Sequence, residues 1–348
     1  MRLIKVTEKE AGQRLDKLLG KYLNLAGKGF LYKMLRKKNI TLNGRKCSGA
    51  EKLAAGDEIT LFLADETIDK FSQVSVKAVK KVHLDILYED GNILLVNKPA
   101  GMLSQKAGDR DESLVEYVTD YLLDTGALTR EDLKTFRPGV CNRLDRNTSG
   151  LVVAGKSLAG LQIMAEAFRD RSIHKYYYCL VSGEIRDTRT IEGFLEKDPK
   201  TNQVKIYQKG QKGAVNIATK YSPVFYLSPR ETGGEGYTCL KVQLITGRTH
   251  QIRAHLASVG HPLVGDQKYG DPKVNGEARR RYSICRQMLH AFQTEFPKLR
   301  EPLSDLSEKT FRAPLPEDFK AVLGTDRSKL LEEDKMQKTA VFVNQRLF

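Results

Sequence analysis

Apolar residues near the start of the chain follow two rhythms. Leu15, Leu18, Leu19 and Tyr22 are spaced for one face of a helix that opens at Arg14-Leu15-Asp16. Phe30, Leu31, Met34 and Leu35 form a second stripe and predict a helix over residues 29–38. The rhythm then shortens to strand-like alternation in Ile40-Thr41-Leu42 and in residues 58–63. Asn43-Gly44 is a hairpin signal, because a type I′ turn needs positive φ at both central residues. Gly56-Asp57 sets a second turn. These elements predict a small α/β module over residues 12–64.

Residues 65–82 are polar with weak patterning and read as a linker. A larger domain is expected over residues 83–323. Strands are predicted at 86–90 and at 93–97, the latter continuously apolar and suited to burial. Further strands fit 151–154, 176–181 and 238–244, with helices over 112–123 and 158–169. Strands and helices mix without βαβ alternation, so the expected class is α+β with a largely antiparallel mixed sheet. Beyond 323 the charges of Lys329, Glu332, Glu333, Asp334 and Lys335 dominate, and 324–348 is expected to be a loosely held tail.

Charge narrows the function classes. The chain has 58 Lys and Arg against 43 Asp and Glu, a formal +15, which favours a polyanionic partner through counterion release. Charge alone does not separate RNA, DNA and an anionic membrane surface. No apolar run approaches the roughly 18 residues of a membrane span, and the start, MRLIKVTEKE, lacks the apolar stretch of a signal peptide. The five cysteines are odd in number and widely spaced, which offers neither a disulfide framework nor a zinc pair. A reduced, cytoplasmic location is therefore expected. His250 and His255 are five apart, which misses metal-site spacing, and no metal is expected.

From Lys28 to Lys46 the chain has seven basic residues (Lys28, Lys33, Arg36, Lys37, Lys38, Arg45, Lys46) and no acidic one. Lys33, Arg36 and Lys37 share one helical surface. Such a face could track a phosphate backbone, whereas the bland alternative is a solvated helix face. The order "RLDKLL", "LRKKNITLNGRK" and "LAAGDEI" resembles the S4 RNA-binding domain. That resemblance implies RNA docking by the basic helix and by the loop through Asn43-Gly44-Arg45.

The segment GVCNRLDRNTSGLVVAGKS, residues 139–157, carries the richest chemistry. Asp145 sits between Arg143 and Arg146 in a polar loop leading into an apolar strand. Flanking cations favour its charged form, and such a carboxylate can serve as nucleophile or general base. An ordinary surface ion-pair loop is the competing reading. "RLDRNTSG" resembles the RLDxxTSG signature of the RluA-type pseudouridine synthases. Lys98-Pro99 with Gly101 is similar to that family's KPxG segment, and Lys175-Tyr176-Tyr177 to its KxY stretch. The run from Leu244 to Leu256, with TGRTHQIRAH, is similar to its long arginine-histidine block. Gly265-Asp266, Tyr269-Gly270, Leu289-His290-Ala291 and Ala313-Pro314-Leu315-Pro316 follow in family order.

The resemblance implies a pseudouridine synthase catalytic domain that isomerises uridines in RNA without cofactor or metal. Ribosomal RNA of the large subunit is the expected substrate, because an S4-like module stands in front. Transfer RNA and a non-catalytic role in ribosome assembly are the alternatives, and a hydrolytic glycosylase would also need a carboxylate near C1′. Asp145 matches the catalytic aspartate, Tyr176 the active-site tyrosine, and Arg248 the basic residue that pairs with the aspartate. Arg143 is expected to fill the gap of a flipped base or hold a phosphate. Arg253 is expected to shape the loop or touch the RNA backbone, like Lys33, Arg36, Lys37, Lys38 and Arg45. His250, His255 and Cys141 are expected to be structural. Asn142 and Asn147 depart from the family pattern, which usually has histidine and an aspartate-like residue there; substrate choice and loop geometry are the properties at stake. A monomer is expected.

Overall fold

The computed structural model describes residues 1–73, 79–108, 110–198 and 201–333. Its first unit is a four-stranded sheet flanked by helices. The strands β1 (Arg2–Lys5), β2 (Ile40–Leu42), β3 (Arg45–Lys46) and β4 (Glu58–Leu61) lie in the order β1-β4-β2-β3. Against them pack α1 (Leu15–Tyr22) and α2 (Lys28–Arg36). Leu15, Leu18, Leu19, Leu31 and Leu35 from these helices meet Ile40, Ile59 and Leu61 from the strands in one core. Asn43 and Gly44 both have positive φ, as the turn between β2 and β3 demands.

This module begins earlier and ends later than its apolar rhythm indicates. β1 pairs with β4 along its whole length, from Arg2 opposite Leu61 to Lys5 opposite Glu58. Arg2 shares its half-buried face with Ile4 and Leu3 is exposed, so no apolar-inward alternation marks the strand. Helix α3 (Asp65–Phe71) buries Ile68 and packs Phe71 against the same core. Residues 65–71, expected within the linker, therefore belong to the module, and 74–78 of that linker lie outside the described residues. Lys9 pairs with Asp132 at 2.9 Å, and the Thr135 hydroxyl donates to Glu10 at 2.6 Å. These contacts seat the module on the second unit.

The second unit is an eleven-stranded mixed sheet. In chain order it comprises β5 (Ile86–Glu89), β6 (Ile93–Lys98), β7 (Gly139–Val140), β8 (Ser149–Gly155), β9 (His174–Ser182), β10 (Arg189–Lys197), β11 (Val204–Tyr207), β12 (Val215–Leu227), β13 (Tyr237–Leu244), β14 (Leu289–Glu295) and β15 (Thr310–Arg312). The main path runs β11-β10-β12-β13-β9-β14-β8-β6-β5, with β15 on β14 and β7 on β8. Every pairing is antiparallel except β14 with β8. Helices α4 (Leu114–Asp124), α5 (Leu158–Arg169), α6 (Pro229–Thr232), α7 (Gln251–Ser258), α8 (Pro272–Tyr282) and α9 (Glu317–Glu332) complete it. Ser113 and Glu116 form a capping box at the start of α4, and Ser157 caps α5 through the Gly160 N–H.

Alternation across this sheet decides what faces the candidate site. On β9, Tyr177, Cys179 and Val181 enter one core with Leu240 and Val242 of β13. Tyr178 and Leu180 enter the opposite core with Cys239, beneath α8 and α9. Helix α9 also carries the chain past residue 323. It bends at Gly324, where φ is 78° and ψ is 167°, and buries Leu331. The first part of the expected tail is thus packed helix, and Asp334 and Lys335 lie outside the described residues.

Candidate active site

Asp145 lies in the loop joining β7 to β8, and that loop is fastened at nearly every residue. The Cys141 N–H donates to Val153 at 2.7 Å, and the Asn142 side chain bonds both Val153 and Leu151. The Ser104 hydroxyl accepts from the Leu144 N–H and donates to the Leu144 carbonyl. The Thr148 N–H closes a turn on the Asp145 carbonyl at 3.0 Å. Beyond it, Gly150 has φ of +114°, and a Cβ there would sit 2.2 Å from the Ala291 carbonyl oxygen. Only glycine permits this close crossing of β8 and β14. A short polar loop so tethered holds its carboxylate in one place.

The fully buried side chain of Lys98 secures the same loop from behind. Its ammonium reaches the carbonyls of Pro99 and Met102 at 2.9 Å and of Arg146 at 3.2 Å. Three carbonyls suit the three protons of an ammonium. Burial, and then the nearby Arg286 charge, pull against that and bring its pKa down to about 7, with Asp145 opposing them.

The partner of Asp145 is Arg253. From α7 its Nη1 donates to Asp145 Oδ2 at 2.9 Å. Its Nε and Nη2 make a two-point bond to Asp266, at 2.7 and 2.8 Å. Burial disfavours the charge of Arg253, but Asp266 and then Asp145 overcome this and raise its pKa. Asp266 is also buried, and Arg253 with the N–H groups of Lys268 and Tyr269 keeps its carboxyl below the usual range. This corrects two expectations. Arg248 lines the same cleft but is not the residue paired with Asp145. Arg253 is not free for the RNA backbone, since its fork is occupied by two carboxylates. The side chain of Gln251 explains the placement. Its Oε1 accepts from Thr246 and from the Arg248 N–H, which folds residues 246–251 into a turn that swings Arg248 to the rim.

Strand alternation also moves the tyrosine. Tyr176 turns to the opposite face, donates to Glu295 at 3.1 Å, and lies under the Lys241 ammonium. Tyr177 is the tyrosine that lines the cleft with Asp145. Burial first, and then the Asp145 charge, raise its pKa, so the phenol stays protonated. The KxY spacing from Lys175 already pointed to position 177. His255 is buried and bonded to Thr219, and His250 is bonded to the Tyr269 hydroxyl, both as framework. Cys141 touches the cleft, but burial pushes its thiol up to about 12.

The cleft above these residues has a volume of about 1190 Å³. Among the described residues, ten lysines and arginines line it against a single carboxylate, that of Asp145. Arg143 stands exposed at its wall. On the first module, Lys33, Arg36, Lys37, Lys38 and Arg45 are all exposed. No helix among the described residues is long and apolar enough to cross a membrane.

Comparisons with known proteins bear on the family. Residues 92–258 match a family model described as RNA pseudouridylate synthase. The chain is 29% identical over 337 residues to the ribosomal large subunit pseudouridine synthase C of Pasteurella multocida, covering 94% of each. It is 31% identical over 300 residues to an RNA pseudouridine synthase of Mycoplasma genitalium, covering 84% of this chain and 88% of that one. Among solved structures, human RNA pseudouridylate synthase domain containing 4 superposes with a TM-score of 0.53 at 19% identity, covering 70% of this chain and 92% of that one.

Proposed function

The chain belongs to the RluA-type RNA pseudouridine synthases, and from that premise we propose that it acts on large-subunit ribosomal RNA through Asp145. It is an isomerase of RNA uridines: the N1–C1′ bond breaks, the uracil turns, a C5–C1′ bond forms, the C5 hydrogen leaves as a proton and N1 takes one up. Relatives named for the large ribosomal subunit cover nearly the whole chain, which supports that substrate.

Asp145, among the described residues the one carboxylate on a cationic cleft, carries the catalytic reading. Its bond to Arg253 fixes the carboxylate in the cleft, and a carboxylate oxygen can attack the nucleotide or take a proton from it. The Tyr177 ring offers a stacking wall, and its protonated hydroxyl a hydrogen bond to base or sugar. A stacked base hides its glycosidic bond, so the target uridine must be flipped out, at a cost of a few kcal/mol, least in loops. Arg143 and the other cations of the rim would hold the flanking phosphates.

The test uses the full chain, an unmodified large-subunit ribosomal RNA transcript, and a transfer RNA transcript. Asp145→Asn should abolish pseudouridine formation while leaving RNA binding intact. Retained activity in that variant would remove Asp145 from the chemistry. Modification of the transfer RNA alone would overturn the substrate, and release of free uracil would overturn the isomerisation.

A further inference from the structure

Tyr269 ties an outer arm of the fold to the centre of the site. The arm is the β10–β11 hairpin, the outermost pair of the large sheet. Lys197 and Asn202 of this hairpin line the cleft, and Lys205 is exposed beside them. Beside its turn, opposite Lys197, the Val204 N–H donates to the Tyr269 hydroxyl at 2.9 Å. That same hydroxyl bonds His250 Nδ1 at 3.0 Å. The Tyr269 ring lies 5.3 Å from the Arg253 guanidinium and packs on the small core shared by Val204 and Ala254. One phenol thus touches the hairpin, the first turn of α7 and the arginine that holds Asp145.

We propose that Tyr269 is a positioning residue that couples seating of the β10–β11 hairpin on RNA phosphates to the placement of the Arg253–Asp145 pair. This rests on Asp145 as the reacting carboxylate. The Val204 N–H is free to serve because β11 is an edge strand with no neighbour on that side. An edge N–H bonded to a side chain is a deliberate tether, since such groups otherwise face water. Arg253 is already fixed on one side by Asp266. A ring against its other side restricts the remaining freedom of the guanidinium. When phosphate draws the lysines of the hairpin inward, the tether presses the phenol toward Arg253. Without the tether the hairpin would still bind RNA, but its position would no longer reach the carboxylate.

Tyr269→Phe tests this, because it keeps the ring against Arg253 and removes only the hydroxyl. With the full chain and an unmodified large-subunit ribosomal RNA transcript, the expected result is a single-turnover rate lowered on the order of tenfold, since small misplacements of reacting groups are costly. RNA affinity should stay within about twofold, because no phosphate contact is lost, and melting temperature should fall only by the few degrees that two lost hydrogen bonds cost. Val204→Pro removes the same hydrogen bond from the other side. If both singles and the double variant lower the rate equally, one shared tether is responsible. An unchanged rate in Tyr269→Phe, or a lowered rate that follows lost affinity or unfolding at the assay temperature, would overturn the coupling. Additive effects in the double variant would overturn the tether. A wild-type chain that makes no pseudouridine in this RNA would instead count against the proposed substrate.

Discussion

Arg253 holds Asp145 at 2.9 Å with one nitrogen while its other two donors grip the buried carboxylate of Asp266. The arginine is therefore shared between the proposed reacting group and a fixed anchor. Two variants separate these duties. Arg253→Lys keeps a cation but loses the fork, and it should lower pseudouridine formation at least 100-fold, as losses of preorganised charge contacts do. Arg253→Ala should also destabilise the chain by about 3–5 kcal/mol, because Asp266 would be left buried and unpaired. Single-turnover assays and urea unfolding measure the two effects. Wild-type activity in Arg253→Lys would show that the fork geometry is dispensable.

Adjacent tyrosines should behave oppositely. Tyr177→Phe removes a hydroxyl from the cleft and should slow the reaction about 10-fold or more, within the range for proton-handling groups. Tyr176→Phe removes the bond to Glu295 on the far face. It should leave the rate unchanged and cost about 1 kcal/mol of stability. Equal kinetic losses in both variants would contradict the alternation on β9.

Much of the fold was legible because its apolar rhythm is local. The stripes of α1 and α2, the Asn43-Gly44 turn and the buried run of β6 are each written in a few neighbouring residues. The loop around Asp145 was legible for the same reason. What escaped depends on distance in sequence. Arg248 and Arg253 both lie near the aspartate's side of the fold, and the choice between them is made by Gln251 and Asp266, which no local pattern reveals. Tyr176 and Tyr177 differ only in strand phase, and a one-residue slip reverses the face. β1 was hidden because Arg2 shares the half-buried face with Ile4 while Leu3 is exposed, and β10 because exposed charges and threonine alternate with its inward residues.

Lys98 gives the chain a pH signature. Its native pKa of about 7 lies below the unfolded value of 10.5, so between these two the unfolded chain binds more protons. Stability contributed by this site should then rise as pH increases from about 7 toward 10, at up to ~1.4 kcal/mol per pH unit. Below pH 7 both states are charged and the dependence ends. Lys98→Met should flatten the rise relative to wild type. Denaturant unfolding at pH 6, 7.5 and 9 measures it, and identical slopes in the two proteins would contradict the assignment.

Gly150 should tolerate no side chain. A methyl group would overlap the Ala291 carbonyl at 2.2 Å, in a backbone region where φ is already +114°. Gly150→Ala should cost several kcal/mol, on the order of 3 or more, through strain and overpacking together. Gly44→Ala, with positive φ but open space around it, should cost only ~1 kcal/mol. Thermal melting of the two variants distinguishes crowding from backbone strain, and equal losses would mean that the β8–β14 crossing can widen.

Lys33, Arg36 and Lys37 are exposed on α2 and just beyond it, on the module that precedes the catalytic unit. If this face tracks RNA phosphates, each neutralised contact releases condensed counterions, and the slope of log K against log salt falls by about 1 per residue removed. Replacing all three by alanine should therefore weaken binding most at low salt and flatten the salt dependence by roughly 2 to 3. The rate at saturating RNA should not change, since none of the three lines the cleft. Binding measured by filter retention across a salt series checks the slope. A lowered maximal rate with an unchanged slope would place these residues in orientation of the target rather than in phosphate contact.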